Sequence, residues 1–77
     1  MPVNVPSHAV VSSNINRVGY LDNTLFIAFN HGGIYSYADV PNHLYQSLLD
    51  AESVGKFFHQ FIKGHFDYLK LEYDPFV

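Results

Sequence analysis

Leu25-Phe26-Ile27-Ala28-Phe29-Asn30-His31-Gly32-Gly33-Ile34-Tyr35-Ser36-Tyr37-Ala38, followed at once by Asp39-Val40-Pro41, decides the fold. Side chains alternate across a strand, so Leu25, Ile27 and Phe29 point one way and Phe26 and Ala28 the other. Both sets are apolar, which predicts a central strand with cover on each side. Asn30 to Gly33 reads as a tight turn, because glycine adopts positive φ at no steric cost. Ile34 to Ala38 is the returning strand. Tyr35 and Tyr37 share one face; Ile34, Ser36 and Ala38 share the other.

Upstream, Leu21-Asp22-Asn23-Thr24 is a second turn, since Asp and Asn bond their own backbone and tolerate left-handed φ. Ala9 to Tyr20 is read as one extended strand. Ile15 and Val18 fall on opposite faces of a regular strand, and Gly19 is the expected site of a bulge that repairs the pattern. Met1 to His8, with two prolines, reads as a flexible N-terminal arm or an edge segment. Downstream, the period changes from strand to helix. Pro41 suits the first helical turn, and Leu44, Tyr45, Leu48 and Leu49 form an apolar stripe. Asp50-Ala51-Glu52-Ser53 is a junction with Ser53 as N-cap. Val54, Phe57, Phe58, Phe61 and Ile62 form a second helical stripe, which Gly64 ends in a left-handed conformation. Leu69 and Leu71 alternate with Lys70 and Glu72, which allows a short fourth strand.

The order β-β-β-α-α predicts an α+β domain: a three-stranded antiparallel meander packed against two consecutive helices in two layers. The expected organisation is an arm over residues 1–8, a single domain over 9–71 and a tail over 72–77.

Length and composition fit one small core. The chain has 77 residues, of which 48% are hydrophobic and 17% aromatic, too apolar for disorder. It has no cysteine, which excludes disulfides, thiolate metal sites and a Cys nucleophile. The net charge of -3 argues against general, charge-driven binding to nucleic acid. No apolar run approaches ~18 residues, so no membrane span is expected. The N-terminus lacks a charged start followed by an apolar stretch, so no secretory signal is expected either.

Ser12-Ser13-Asn14-Ile15, Val18-Gly19-Tyr20, Leu25, Phe29, Gly33, Tyr35-Ser36-Tyr37, Val40-Pro41 and Tyr45 occur in a characteristic order. Ala51, Ser53, Gly55, Phe57-Phe58, Ile62-Lys63 and Phe66 complete it. Over residues 10–71 the chain resembles the KTSC domain family. It departs from the family at His59, where Asn is usual, and at Phe57 and Phe66, where Tyr is frequent. The family takes its name from a C-terminal segment of some lysyl-tRNA synthetases and also occurs as short bacterial and phage proteins. The resemblance therefore implies a cytoplasmic protein with no assigned catalysis and a contextual link to RNA.

The residues themselves offer few chemical constellations. His8, His31, His43, His59 and His65 include no pair at the spacing of a zinc helix, so no metal or cofactor is expected. Ser13, His31 and Asp39 could be drawn as a triad, but no nucleophile elbow or oxyanion loop accompanies them. Ser and Asn there read more simply as groups bonding nearby backbone. Tyr35 and Tyr37 form either a stacking platform, as in RNA-binding sheets, or core beneath the helices. Lys56, His59 or Gln60, and Lys63 recur on the polar side of the second helix, and Lys56 and Lys63 with Arg17 and Lys70 could gather into one basic surface. Phe26, Phe76 and one of Phe57 or Phe58 are candidates for an exposed patch that pairs with a second copy. The expected function is a non-enzymatic binding module, with protein partners or self-association favoured. The RNA alternative uses Arg17, Lys56 and Lys63 on phosphates and Tyr35 or Tyr37 for stacking. A third alternative is an oligomer that binds a nucleotide.

Overall fold

Asp22 and Asn23 both adopt positive φ, 51° and 61°, between the paired residues Leu21 and Thr24. A two-residue turn of this hand matches the twist of the strands it joins. Gly33, at φ 87°, closes the next turn opposite Phe29. These turns set the register of β2 (Ile15–Leu21), β3 (Thr24–Phe29) and β4 (Gly33–Tyr37). The structure, a computed structural model, describes residues 5–76; residues 1–4 of the expected arm and Val77 of the expected tail lie outside the described residues.

Two further strands flank the meander. β1 (Ser7–Ala9) pairs with β2, and β5 (Tyr68–Lys70) pairs with β4, giving an antiparallel sheet in the order β1-β2-β3-β4-β5. The fold is α+β as expected, with five strands in place of three or four. Between β4 and β5 the chain forms α1 (Asn42–Asp50), α2 (Val54–Phe57) and a π-helical turn over Phe58–Ile62. No helix among the described residues is long and apolar enough to cross a membrane.

The stretch read as one strand from Ala9 to Tyr20 is divided. Ser12 Oγ accepts from the backbone N–H groups of Asn14 and Ile15, both at 3.3 Å. Asn30 Nδ2 donates to the carbonyls of Ser12 and Ser13, both at 3.1 Å. The Ser-Ser-Asn segment is thus a turn pinned to the β3–β4 turn, because short hydroxyl and amide side chains offer the backbone an alternative to the ladder. The bulge exists, but at Asn16: Ile15 pairs with Phe29 and Arg17 with Ala28. The extra residue brings Ile15 and Val18 to one buried face.

Gly19 has a different task. A Cβ there would lie 2.8 Å from Phe76 Cε1, from the Pro6 carbonyl oxygen and from Val5 Cγ1. Val5 N–H donates to the Pro75 carbonyl at 2.7 Å, and Val5 and Phe76 form a parallel bridge. Phe76 meets Phe26 edge-on at 6.5 Å. The two ends of the domain are thereby strapped together across the sheet face opposite the helices. Val5 is fully buried, so the chain joins the fold several residues before the expected boundary at residue 9. Phe26 and Phe76, expected to form an exposed patch, belong to this second core.

The helices cover the other face. Val18, Leu25 and Ile27 from the sheet pack with Tyr45, Leu48, Val54, Phe58 and Ile62. Pro41 is the residue before the helix and not part of its first turn; its carbonyl accepts from Leu44 and Tyr45. Tyr20 fixes α1 to the sheet. Its ring stacks on Tyr45 at 4.9 Å, and its hydroxyl donates to the Val40 carbonyl at 2.5 Å. Ser53 caps α2 by accepting from Lys56 N–H at 3.2 Å, and Gly64 at φ 82° stops the helical run.

Gly19→Ala is expected to lower unfolding free energy by about 1–3 kcal/mol, since two of the three clashes involve backbone or a buried side chain with no room to yield. Urea unfolding measures it; an unchanged midpoint would mean that the terminal straps do not pack against β2.

Candidate functional site

The β3–β4 turn faces the π-helical turn across the helix side of the sheet, and the gap between them is a groove. Its two contiguous hollows share Phe29, Gly32, Phe58 and Lys63. The smaller, of about 280 Å³, is also lined by Asn14, Ile15, His31, Gly55 and His59. The larger, of about 510 Å³, is also lined by Tyr35, Tyr37, Gly64 and Tyr68.

Strand pairing explains the aromatic content. Leu25 pairs with Tyr37 and Tyr37 with Tyr68, so the two tyrosines are neighbours on one face. Tyr35 follows two residues away along β4. Phe58 is edge-on to Phe29 at 5.4 Å and to Tyr37 at 5.5 Å; Phe29 is edge-on to Tyr35 at 5.7 Å. Edge-to-face contact places the positive rim of one ring on the negative face of the next. Tyr68 stands at the open end, tilted against Tyr35 at 5.9 Å and Tyr37 at 6.0 Å, and is 64% exposed.

The helical run widens where it meets the groove. Lys63 N–H donates to the Phe58 carbonyl at 2.9 Å, a bond five residues long. Such π turns are rare and occur frequently at functional sites. Here the turn buries Phe58 and Ile62 and leaves His59 and Lys63 on the groove side.

The groove is free of acids. The chain carries seven Asp and Glu, and none lines either hollow. Lys63 borders both hollows, with His31 and His59 beside the smaller one. Burial pushes the Tyr37 hydroxyl up to about 12, and neighbouring Tyr35 and Tyr68 push in the same direction. It therefore stays a neutral hydrogen-bond donor at ordinary pH. Burial also raises Tyr45.

Among the residues expected to form a site, Tyr35, Tyr37, His59 and Lys63 meet at this groove. Lys56 lies one step away, in a neighbouring hollow with Ser12, Ser13 and Glu52. Arg17 does not join them. It pairs with Ala28, on the strapped face of the sheet, and donates to Ser7 Oγ at 3.0 Å. The expected single basic surface is thus not formed. Tyr37 is buried, so the ring open for stacking is Tyr68 instead. Tyr68 is not among the expected site residues, since its tail shows no strong periodicity; the alternation of Leu69 and Leu71 with Lys70 and Glu72, which places Tyr68 on the face of Lys70, is the available signal. His31, expected within the Asn30–Gly33 turn, is exposed there and also lines the smaller hollow. Asp39, at φ 59° in the β4–α1 turn, lines neither hollow, and Ser13 lies outside both, so no triad assembles here. Among the described residues no group of three or more His, Cys, Asp or Glu could hold a metal ion.

A profile of the KTSC domain matches residues 11–66. A crystal structure of a KTSC domain protein from Yersinia pestis superposes with a TM-score of 0.84 at 39% identity, covering 87% of this chain and 97% of that one. A protein of Stutzerimonas stutzeri is 34% identical over 67 residues, 83% of this chain and 94% of its own length. A lysine–tRNA ligase of Nostoc is 46% identical over 48 residues, and the chain covers only 9% of that ligase. The chain belongs to the KTSC domain family.

A raised folded-state pKa means that the folded state holds the Tyr37 proton more tightly than the unfolded state does. Stability from this group is complete below about pH 10, the ordinary tyrosine value, and is lost as the pH rises through the folded value. Tyr37→Phe should leave the fold intact, since the hydroxyl has no hydrogen-bond partner among the described residues. Thermal melts at pH 9 and pH 11.5 are expected to show a smaller alkaline loss in this variant than in the wild type. Equal losses would place the Tyr37 hydroxyl in solvent.

Proposed function

We propose that this KTSC domain is a non-enzymatic binding module whose working surface is the aromatic groove between the β3–β4 turn and the π turn. The observation that carries the reading is an acid-free hollow, on a chain of net charge -3, floored by rings and edged by Lys63. Rings bind flat or apolar groups, and an ammonium beside them selects negative charge. The groove brings together no nucleophile with an activating base and acid, so its chemistry is recognition. The family context agrees. The lysine–tRNA ligase relatives are matched over a short segment, which suits an accessory unit working in the cytoplasm on or near RNA.

Self-association is a second reading, favoured by one observation. Edge strand β5 exposes Tyr68 and Leu69, the latter at 69%, on opposite faces of the sheet. An uncovered apolar edge can pair with another chain. A concentration-dependent mass in sedimentation, abolished by Leu69→Lys, would establish it.

The groove reading is tested by titrating ¹⁵N-labelled protein with small aromatic anions, and with aromatic cations as a counter-set. Aromatic anions are expected to shift the amides of Gly32, Gly33, Lys63 and Gly64. Shifts centred instead around Arg17, or equal response to both charge classes, would sink the reading.

A further inference from the structure

We infer that the groove takes one nucleoside 5′-phosphate unit, with the base in the larger hollow against Tyr68 and the phosphate beside Lys63 in the smaller one. This rests on the groove being the working surface.

The larger hollow suits a base. Tyr68 is tilted by 51° from Tyr35 and by 36° from Tyr37, so neither neighbour stacks on it face to face. One face of an exposed ring, held at its edges, is a platform on which any base can stack. The hydroxyls of Tyr35 and Tyr37 have no hydrogen-bond partner in the protein among the described residues, and both side chains line this hollow. They can meet the polar edge of a base, which an apolar side chain would leave unsatisfied.

The smaller hollow suits a phosphate. Lys63, His31 and His59 are all able to donate, and no carboxylate competes with an incoming anion. Lys63 borders both hollows, so the charged end of a ligand must lie next to its flat end. Gly32 lines both hollows, and a Cβ there would press on Phe29 at 3.3 Å, so the absent side chain leaves the Phe29 ring undisturbed on the groove floor. A phosphate offers three acceptor oxygens to these donors, whereas the carboxylate of an acidic peptide offers two. The larger hollow falls in the size range of small-ligand sites, and the smaller lies just below it. The net negative charge of the chain repels anions at long range, so recognition here depends on local fit.

The same chemistry is presented by a free nucleotide and by single-stranded RNA. The test therefore uses AMP, UMP, a short 5′-phosphorylated single-stranded RNA, adenosine, inorganic phosphate and an acidic tyrosine-containing peptide, followed by amide shifts of the intact chain. Nucleotide or RNA should shift the groove amides, with adenosine and phosphate alone each at least about tenfold weaker. Lys63→Ala and Tyr68→Ala, both at exposed positions, should each weaken binding by about fivefold or more, while Lys56→Ala stays within about twofold. Tighter binding of the RNA assigns the unit to a strand, and equal affinity assigns it to a free nucleotide; both support the inference. Adenosine binding as well as AMP would overturn it, as would Lys56→Ala matching Lys63→Ala. If only the peptide shifts the groove amides, the nucleotide assignment fails and the binding-module reading stands. If nothing shifts them, both fail.

Discussion

The ring of Phe58 is the contact on which both layers of this protein depend. It is buried between sheet and helix, edge-on to Phe29 from β3 and to Tyr37 from β4. It is also the carbonyl end of the π-helical bond that closes at Lys63. A regular α-helix continuing from α2 would bond Ile62, not Lys63, to that carbonyl. Widening the turn keeps Phe58 and Ile62 in the core while the chain turns back toward β5. The core and the groove are therefore two sides of one ring, and a change that alters its seat alters both.

The same contact explains why the groove is open. α1 is held close to the sheet by the Tyr20 stack and hydroxyl bond, and α2 begins at a capped Ser53. Past Phe58 the larger hollow is bordered by Lys63 and Gly64 and opens beside Tyr35 and Tyr68. The pinned Ser12-Ser13-Asn14 turn fixes the other wall, since Asn30 ties it to the loop that carries His31 and Gly32. The groove walls are thus set by local backbone bonds, and the floor by interlocked rings.

Much of the architecture was legible in the residues. Period-two alternation in Leu25–Phe29, the Asp-Asn and Gly-Gly turns, and the helical stripe on Val54–Ile62 each impose one local geometry. What escaped the reading was set by distant chain. Gly19 is kept free of a side chain by Phe76 and Val5, more than a dozen residues away in sequence, so it looked like a bulge. The real bulge falls on Asn16, a residue with no sign of it. Of the site, Tyr35, Tyr37, His59 and Lys63 were legible as residue types on faces. Arg17 was grouped with them because sequence cannot say which side of a sheet a bulged strand presents. Tyr68 escaped the reading because only its pairing with Tyr37 of β4, a strand that lies two helices earlier in sequence, brings it to the groove.

Two cores in so small a chain follow from what the groove leaves uncovered. A domain of this size has little area to bury, and here it lacks disulfides. On the groove side Phe29 and Tyr35 bury only part of their surface, and Tyr68 least of all. The opposite face offsets this. Val5, Phe26, Pro75 and Phe76 close under the sheet, and the bridge between Val5 and Phe76 joins the two ends of the described chain. Such a non-covalent bridge closes the longest loop among the described residues at a cost in chain entropy, so its worth depends on tight packing at Gly19. The arrangement separates tasks by face: the strapped side supplies stability through close contact, and the helix side can keep a ring-lined hollow open to an incoming ligand. A groove built on the strapped face would have had to give up that packing; a groove built at Phe58 uses rings that already hold the core.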